Sequence, residues 1–424
     1  MKFVHAADLH IDSPLKGLDA YAGAPAARMR AATRGALENL VALCIDEQVA
    51  FLLLAGDVFD GGWKDFSTGL FFHAQMMRLK EANIPVVIVR GNHDAASAIT
   101  KSLRLPDNVR ELSSKKPETF ELREAGACVH GQSFAHRVTT DDLAARYPDA
   151  VPGAFNIGLL HTCVEGREGH EPYAPTSLAT MRSKGYAYWA LGHVHAREVI
   201  ARDPWIVFPG NLQGRHARET GPKGASVVTV EDGIVQSVEH RALDVVRWES
   251  VVVDVSEASD AIEVVDRLRD ALRDRAHEAD GRFLAARVTL RGATRANGAL
   301  RNDPDKLVAE ARAAANELGD LVWLEKVKLE TRTHVDLSRV REEPGAVGHL
   351  ARRIASIRAD DAELAQLGQL FAELDKKLPA EVREGKEGGD APLVLSDPET
   401  LRAILDDVEH TLLPRLLESA EGER

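Results

Sequence analysis

Five short polar clusters in the first 195 residues carry side chains of the types that hold metal ions. They are Asp8-Leu9-His10, Gly56-Asp57-Val58-Phe59-Asp60, Gly91-Asn92-His93-Asp94, the lone His161, and Gly192-His193-Val194-His195. Together they offer imidazole nitrogens, carboxylates and an amide oxygen, enough for two divalent cations, and no thiolate. Such a set suits manganese, iron or zinc better than the all-oxygen shells of magnesium or calcium. Two such ions about 3.5–4 Å apart hydrolyse phosphate esters by sharing a hydroxide and clamping the phosphoryl oxygens. The pair needs a carboxylate between its members, and Asp57 is the natural bridge.

The elements that must position these groups are legible as apolar runs just ahead of each cluster: Phe3 to Ala7, Phe51 to Ala55, Val86 to Val89, Phe155 to Leu160 and Tyr188 to Leu191. Each is short enough for a buried strand. The polar residues therefore fall at the carboxyl ends of strands, where an α/β sheet opens into a crevice. Helices are expected over Ala26 to Glu47, with Leu37, Leu40, Val41 and Cys44 on one face, and over Phe66 to Ala82. A hairpin is expected where Asp232-Gly233 separates Ala225–Val230 from Ile234–Glu239.

The chain has 424 residues, 44% hydrophobic and 28% charged, a globular composition long enough for two or three domains. No apolar run reaches the roughly 18 residues of a membrane helix. Strand character begins directly after Met1-Lys2, leaving no room for a signal peptide, and Cys44, Cys128 and Cys163 are too scattered for a disulfide framework. A cytoplasmic protein without membrane contact is expected. The net charge of −13 divides into −3 for residues 1–250 and −10 for the remainder. Bound cations would bring the first part near neutrality, so total charge does not exclude a phosphate substrate.

From Glu249 a β-α-β-α-β unit of about 85 residues is expected, with helices at Glu257–His277 and Asp303–Leu318 and further strands at Phe283–Leu290 and Val322–Glu330. Helices at Ala346–Ile357 and Asp361–Lys377 precede a charged, glycine-rich linker, Glu384 to Asp390. A last helix from about Pro398 to Ala420 carries Leu401, Ile404, Leu405, Val408, Leu412 and Leu416 on one stripe. The division expected is 1–245, 246–335 and 336–424.

The order Asp-x-His, Gly-Asp-x-x-Asp, Gly-Asn-His-Asp, solitary His, Gly-His-x-His resembles the calcineurin-like metallophosphoesterases over about the first 240 residues. A lone Asp-x-His recurs by chance, but five parts in order at five strand ends do not. The run His10-Ile-Asp-Ser-Pro-Leu15, the form Gly-Asp-Val-Phe-Asp60 and the appended domains look most like the SbcD-type DNA repair exonucleases, which act beside a coiled-coil ABC ATPase. The resemblance implies an α/β fold, a four-layer α-β-β-α sandwich with a small α+β capping domain and a helical C-terminal tail. It implies one metal on Asp8, His10, Asp57 and His195 and a second on Asp57, Asn92, His161 and His193, most simply Mn2+, with Fe or Zn as alternatives. His93 would assist the leaving oxygen, with Asp94 orienting it. The implied activity is hydrolysis of DNA phosphodiesters; a small-molecule phosphodiesterase or phosphomonoesterase of the same superfamily is the alternative. Implied partners are DNA, an SbcC-like ATPase onto which the last helix docks, and a second copy of the chain; packing of that helix within the chain is the other option.

Some residues stay open. Asp60 either accepts a hydrogen bond behind the metal ligands or caps the next turn. Arg90 and Arg197 flank the motifs and are candidates for phosphate contact, and Arg197 to Lys223, with Arg202, Arg215, His216 and Arg218, is either a phosphate-facing edge or a solvated mixed surface. His5, His73, His130, His136, His170, His216 and His240 read as surface or satisfied polar residues, and Phe71, Phe72, Trp189 and Trp205 as core.

Overall fold

Alternation along the first strands splits their side chains between two cores: Phe3, Phe51, Leu53 and Val87 enter one cluster, while Val4, Leu52, Leu54 and Val86 enter another. Strands buried on both faces must sit inside a layered sandwich, and the computed structural model has that form. It describes residues 1–13, 25–60, 66–97, 103–164, 173–334, 337–378 and 393–422. The expected linker Glu384–Asp390, His170, and the Pro14-Leu15 end of the first motif lie outside the described residues.

The described residues divide into two compact units, 1–250 with 275–286 and 320–325, and 251–274 with 287–319 and 326–424. The first holds strands β1 (Lys2–Ala6), β2 (Phe51–Leu54), β3 (Val86–Ile88), β4 (Val109–Glu111), β5 (Glu118–Leu122), β6 (Ala127–Gly131), β7 (Phe155–His161), β8 (Tyr188–Gly192), β9 (Glu198–Arg202), β10 (Trp205–Phe208), β11 (Gly224–Glu231) and β12 (Ile234–Ala242). They form two six-stranded sheets, β12-β11-β1-β2-β3-β4 and β5-β6-β7-β8-β10-β9. The pairs β1–β2, β2–β3 and β7–β8 are parallel, so ligand-bearing ends line up within each sheet. Asp232 (φ 49°) and Gly233 (φ 75°) make the expected turn between β11 and β12.

The two inner faces share one core, Phe3, Phe51, Val129, Ile157, Leu159 and Tyr188 among its members. Helices α1 (Ala26–Asp46) and α2 (Phe66–Glu81) cover the outer face of the first sheet through Leu37, Leu40, Val41, Cys44, Phe72 and Met76. The short α3 (Asn92–Ala96) follows β3. Outside the second sheet, Trp189, Leu191 and Phe208 pack with Met181 of α4 (Leu178–Ser183). Each such side chain contributes about 1.5–3 kcal/mol when fully buried. Of the aromatics expected in the core, Phe72 and Trp189 are buried and Phe71 and Trp205 half-buried.

His5 ties the sheets together three residues before the first cluster. Burial drives its pKa down to about 3 against the opposing effect of its bond to Leu191, so the ring is neutral. Nε2–H donates to Leu191 O and Nδ1 accepts from the Tyr188 hydroxyl, both at 3.1 Å. His5→Phe removes both partners of buried groups and is expected to cost about 2–4 kcal/mol. A urea midpoint corresponding to less than about 1 kcal/mol would show that these bonds do not hold the sheets.

The strands β13 (Val246–Asp254), β14 (Phe283–Thr294) and β15 (Val322–Thr333) form a three-stranded sheet in that order. The second unit includes α5 (Ala261–Glu278) over most of its length, α6 (Asn297–Asn302), α7 (Pro304–Asn316), α8 (Leu337–Glu342), α9 (Ala346–Ala359), α10 (Asp361–Asp375) and α11 (Pro398–Gly422). Leu401 and Leu405 of α11 pack with Ile354 and Leu364, and Leu413 packs with Val340 and Ala351. Val408 and Leu412 remain 38% exposed. The buried face is therefore turned from the expected stripe, toward Glu409, whose carboxylate meets Arg341 and Arg358. Among the described residues no helix is long and apolar enough to cross a membrane.

Candidate metal centre

The five clusters meet where the two sheets present their strand ends. Asp8 follows β1, Asp57 follows β2, Asn92 opens α3 after β3, His161 ends β7 and His193 follows β8. The loops after β1 and β2 are zipped together, with the amides of Asp8, His10 and Ile11 donating to Gly56, Asp57 and Val58 carbonyls at 3.0 Å each. Asp8, His10, Asp57 and His193 all have left-handed backbones, φ 53°, 44°, 51° and 108°. That conformation costs a non-glycine residue on the order of 1–3 kcal/mol, a strain that persists at sites which use it. Gly56 (φ 92°) is needed for a second reason: a Cβ there would lie 2.6 Å from His161 Nδ1.

Tautomers follow from the second ring nitrogens. His161 Nδ1–H donates to Ala55 O at 2.9 Å, which leaves the Nε2 lone pair 3.0 Å from Asn92 Oδ1 and 3.4 Å from Asp57 Oδ2. His195 Nδ1–H donates to Glu219 Oε1 at 2.7 Å, leaving its Nε2 lone pair 3.3 Å from His10 Nε2 and 3.8 Å from Asp8 Oδ1. Asp57 Oδ2 is also 3.9 Å from His10 Nε2, so one oxygen stands between the two groups. The ring of His193 is 5.3 Å from that of His161, centroid to centroid. Asp8, His10, Asp57, Asn92 and His161 are at most 3% exposed. Buried acceptors facing one another without a proton between them are unfavourable, and a cation in each group removes the conflict. The donor set thus fits two metal ions. Burial raises the Asp8 carboxyl above its ordinary range and lowers His10 well below its own.

His93 lies beside these groups, its ring 4.9 Å from that of His10. Its Nδ1 meets Asp60 Oδ1 at 2.9 Å, and Ser13 Oγ donates to Asp60 Oδ2 at 2.7 Å. The bond to His93 holds Asp60 down at about 2, and the same bond raises His93. The orienting role expected of Asp94 is therefore a misplacement, because Asp94 turns away from the ring. It accepts from the Phe59 amide at 2.9 Å and the Gly91 amide at 3.1 Å, and burial, then Asp57, pushes it up to about 7. Two peptide donors within the reach of a short side chain outcompete the adjacent imidazole.

Glu219 was not singled out from the sequence. It is 7% exposed and accepts from His195 Nδ1, Asn211 Nδ2 (3.0 Å) and the Arg215 amide (2.7 Å). Burial alone would raise this carboxyl; the His195 bond and Arg215 outweigh it and hold it below the usual range. Its only sequence signal was an acid inside a basic segment. That segment is no continuous exposed edge: Lys223 is buried with Nζ on His195 O, and Arg202 lies over the Trp205 ring. Arg90 pairs with Glu111 at 2.5 Å, and Arg197 is exposed. Glu219→Gln, which keeps shape but loses the carboxylate that fixes His195, is expected to weaken metal affinity about 10–100-fold. A metal titration in which affinity is unchanged would remove Glu219 from the centre's support.

Residues 1–197 match the family of calcineurin-like phosphoesterases, and residues 248–332 match the middle domain of the metallophosphoesterase YhaO. An uncharacterized metallophosphoesterase, YhaO of Bacillus subtilis (strain 168), is 37% identical over 274 residues, 64% of this chain and 67% of that protein. This chain belongs to the calcineurin-like metallophosphoesterases. The DNA double-strand break repair protein Mre11 of Sulfurisphaera tokodaii is 27% identical over 226 residues, 49% of this chain and 56% of that protein. A dimetal phosphatase from Danio rerio overlaps 55% of this chain and 93% of its own at 12% identity and a TM-score of 0.34. The family uses a dimetal centre, so the enzyme is a metal-dependent phosphoesterase.

Proposed function

We propose that the chain is a DNA phosphodiesterase of SbcD type, working with two Mn2+ ions. The lone pairs of His195 toward Asp8 and of His161 toward Asn92 and Asp57 carry the chemistry, and the similarity to proteins named for DNA double-strand break repair supports the substrate. One ion would be held by Asp8, His10, Asp57 and His195, the other by Asp57, Asn92, His161 and His193. Bound there, the ions supply positive charge opposite the phosphoryl oxygens and a nucleophile stronger than water. His93, held through Nδ1 by Asp60, keeps Nε2 as the atom that hands a proton to the leaving oxygen. On this reading the enzyme works beside an SbcC-like ATPase and as a homodimer.

Purified protein with manganese should degrade labelled linear duplex DNA as well as bis-p-nitrophenyl phosphate, and chelation should stop both. Cleavage of the small ester alone, at every salt and metal concentration, would replace the nuclease with a small-molecule phosphodiesterase.

A further inference from the structure

We infer that Arg215 is a substrate-contacting residue, whose guanidinium binds a non-bridging oxygen of the phosphate on which the centre acts. The inference rests on the phosphodiesterase reading above and adds to it a group that touches substrate.

The loop carrying Arg215 is fixed against the site at two points. Asn211 bridges to Ala7, next to Asp8, and the Arg215 amide donates to Glu219 Oε2. Its Nη2 lies 3.3 Å from Glu219 Oε1 and 3.3 Å from His195 Nδ1, which puts the cation against a metal ligand. The side chain is only 17% exposed, and Nε, shielded from solvent, has no hydrogen-bond partner among the described residues.

Holding Glu219 does not account for this arrangement. Arg34 and Arg247, whose roles are internal, each set Nε and Nη2 together on one carboxylate, Asp12 and Asp244. Arg215 offers Glu219 one long contact, and that carboxylate already takes protons from His195, Asn211 and the Arg215 amide. A guanidinium has five donors in a planar fork. Leaving Nε without a partner at a half-enclosed site is unfavourable unless an anion arrives, and phosphate matches the fork.

The test uses the full-length enzyme loaded with manganese, bis-p-nitrophenyl phosphate as substrate and inorganic phosphate as competitive probe. In Arg215→Gln the inhibition constant for phosphate should rise, and kcat/KM fall, each about 10–100-fold. Two ions per chain should remain, and Arg215→Lys should recover only part of the loss. Phosphate inhibition within about twofold of wild type in both variants overturns the inference. So does a loss that appears only together with lost metal, since Arg215 would then merely brace Glu219 and His195. A wild-type enzyme inactive on every phosphoester would instead sink the underlying phosphodiesterase reading, and this inference with it.

Discussion

Replacing His93 with alanine is expected to lower phosphodiester turnover about 100- to 10,000-fold while two ions per chain stay bound. The side chain contributes no atom to the paired lone-pair groups around Asp57. Its backbone amide, which donates to Asp57 Oδ1 at 2.9 Å, survives the substitution. The ring is about one-third exposed and sits beside His10, the position the proposed proton donor requires. Metal analysis beside steady-state kinetics checks both halves, and an alanine variant that turns over normally would refute the proton-donor role. The Asp60 contact sharpens the test. Asp60→Asn should lower turnover in the same direction but less, because a neutral amide oxygen accepts from Nδ1–H more weakly than the carboxylate does. Asp94→Asn should act first on folding, since it disturbs the peptide donors of Phe59 and Gly91. If Asp94→Asn impaired turnover without changing stability and Asp60→Asn did nothing, Asp94 would be the residue that orients His93.

Why one carboxylate was placed and its neighbour misplaced is a matter of range. The five ligand-bearing strands announced themselves as uninterrupted apolar runs because they are covered on both faces. The edge strands Val109–Glu111, Glu118–Leu122 and Glu198–Arg202 mix charged and apolar residues and gave no such signal. The strand ends belong to two sheets, three to one and two to the other, and no local pattern specifies that partition. The candidate ligands were legible because side-chain chemistry limits which groups can bind a cation. The hydrogen bonds that orient ligands span 33 residues from Asp60 to His93 and 24 from His195 to Glu219. Adjacency in sequence suggested Asp94 for the first, and nothing suggested Glu219 for the second.

Asp57→Asn should have the largest effect of any single change, abolishing uptake of two ions and lowering turnover by several kcal/mol, at least about a thousandfold. Asp57 Oδ2 lies near imidazoles of both groups, 3.4 Å from His161 Nε2 and 3.9 Å from His10 Nε2. Gly91 accommodates it, since a Cβ at that position would collide with Asp57 Oδ1. Stability should move the opposite way without metal. Buried Asp8 and Asp94 are both destabilised as anions, first by burial and also by the charge of Asp57. Neutralising Asp57 relieves that repulsion, so the chelated variant should melt at or above the chelated wild type. Manganese should raise the melting temperature of the wild type alone, because only a protein that binds the ions in its folded state gains stability from them. Equal manganese stabilisation of the two proteins would mean that the ions bind elsewhere and that the convergence around Asp57 is not their site.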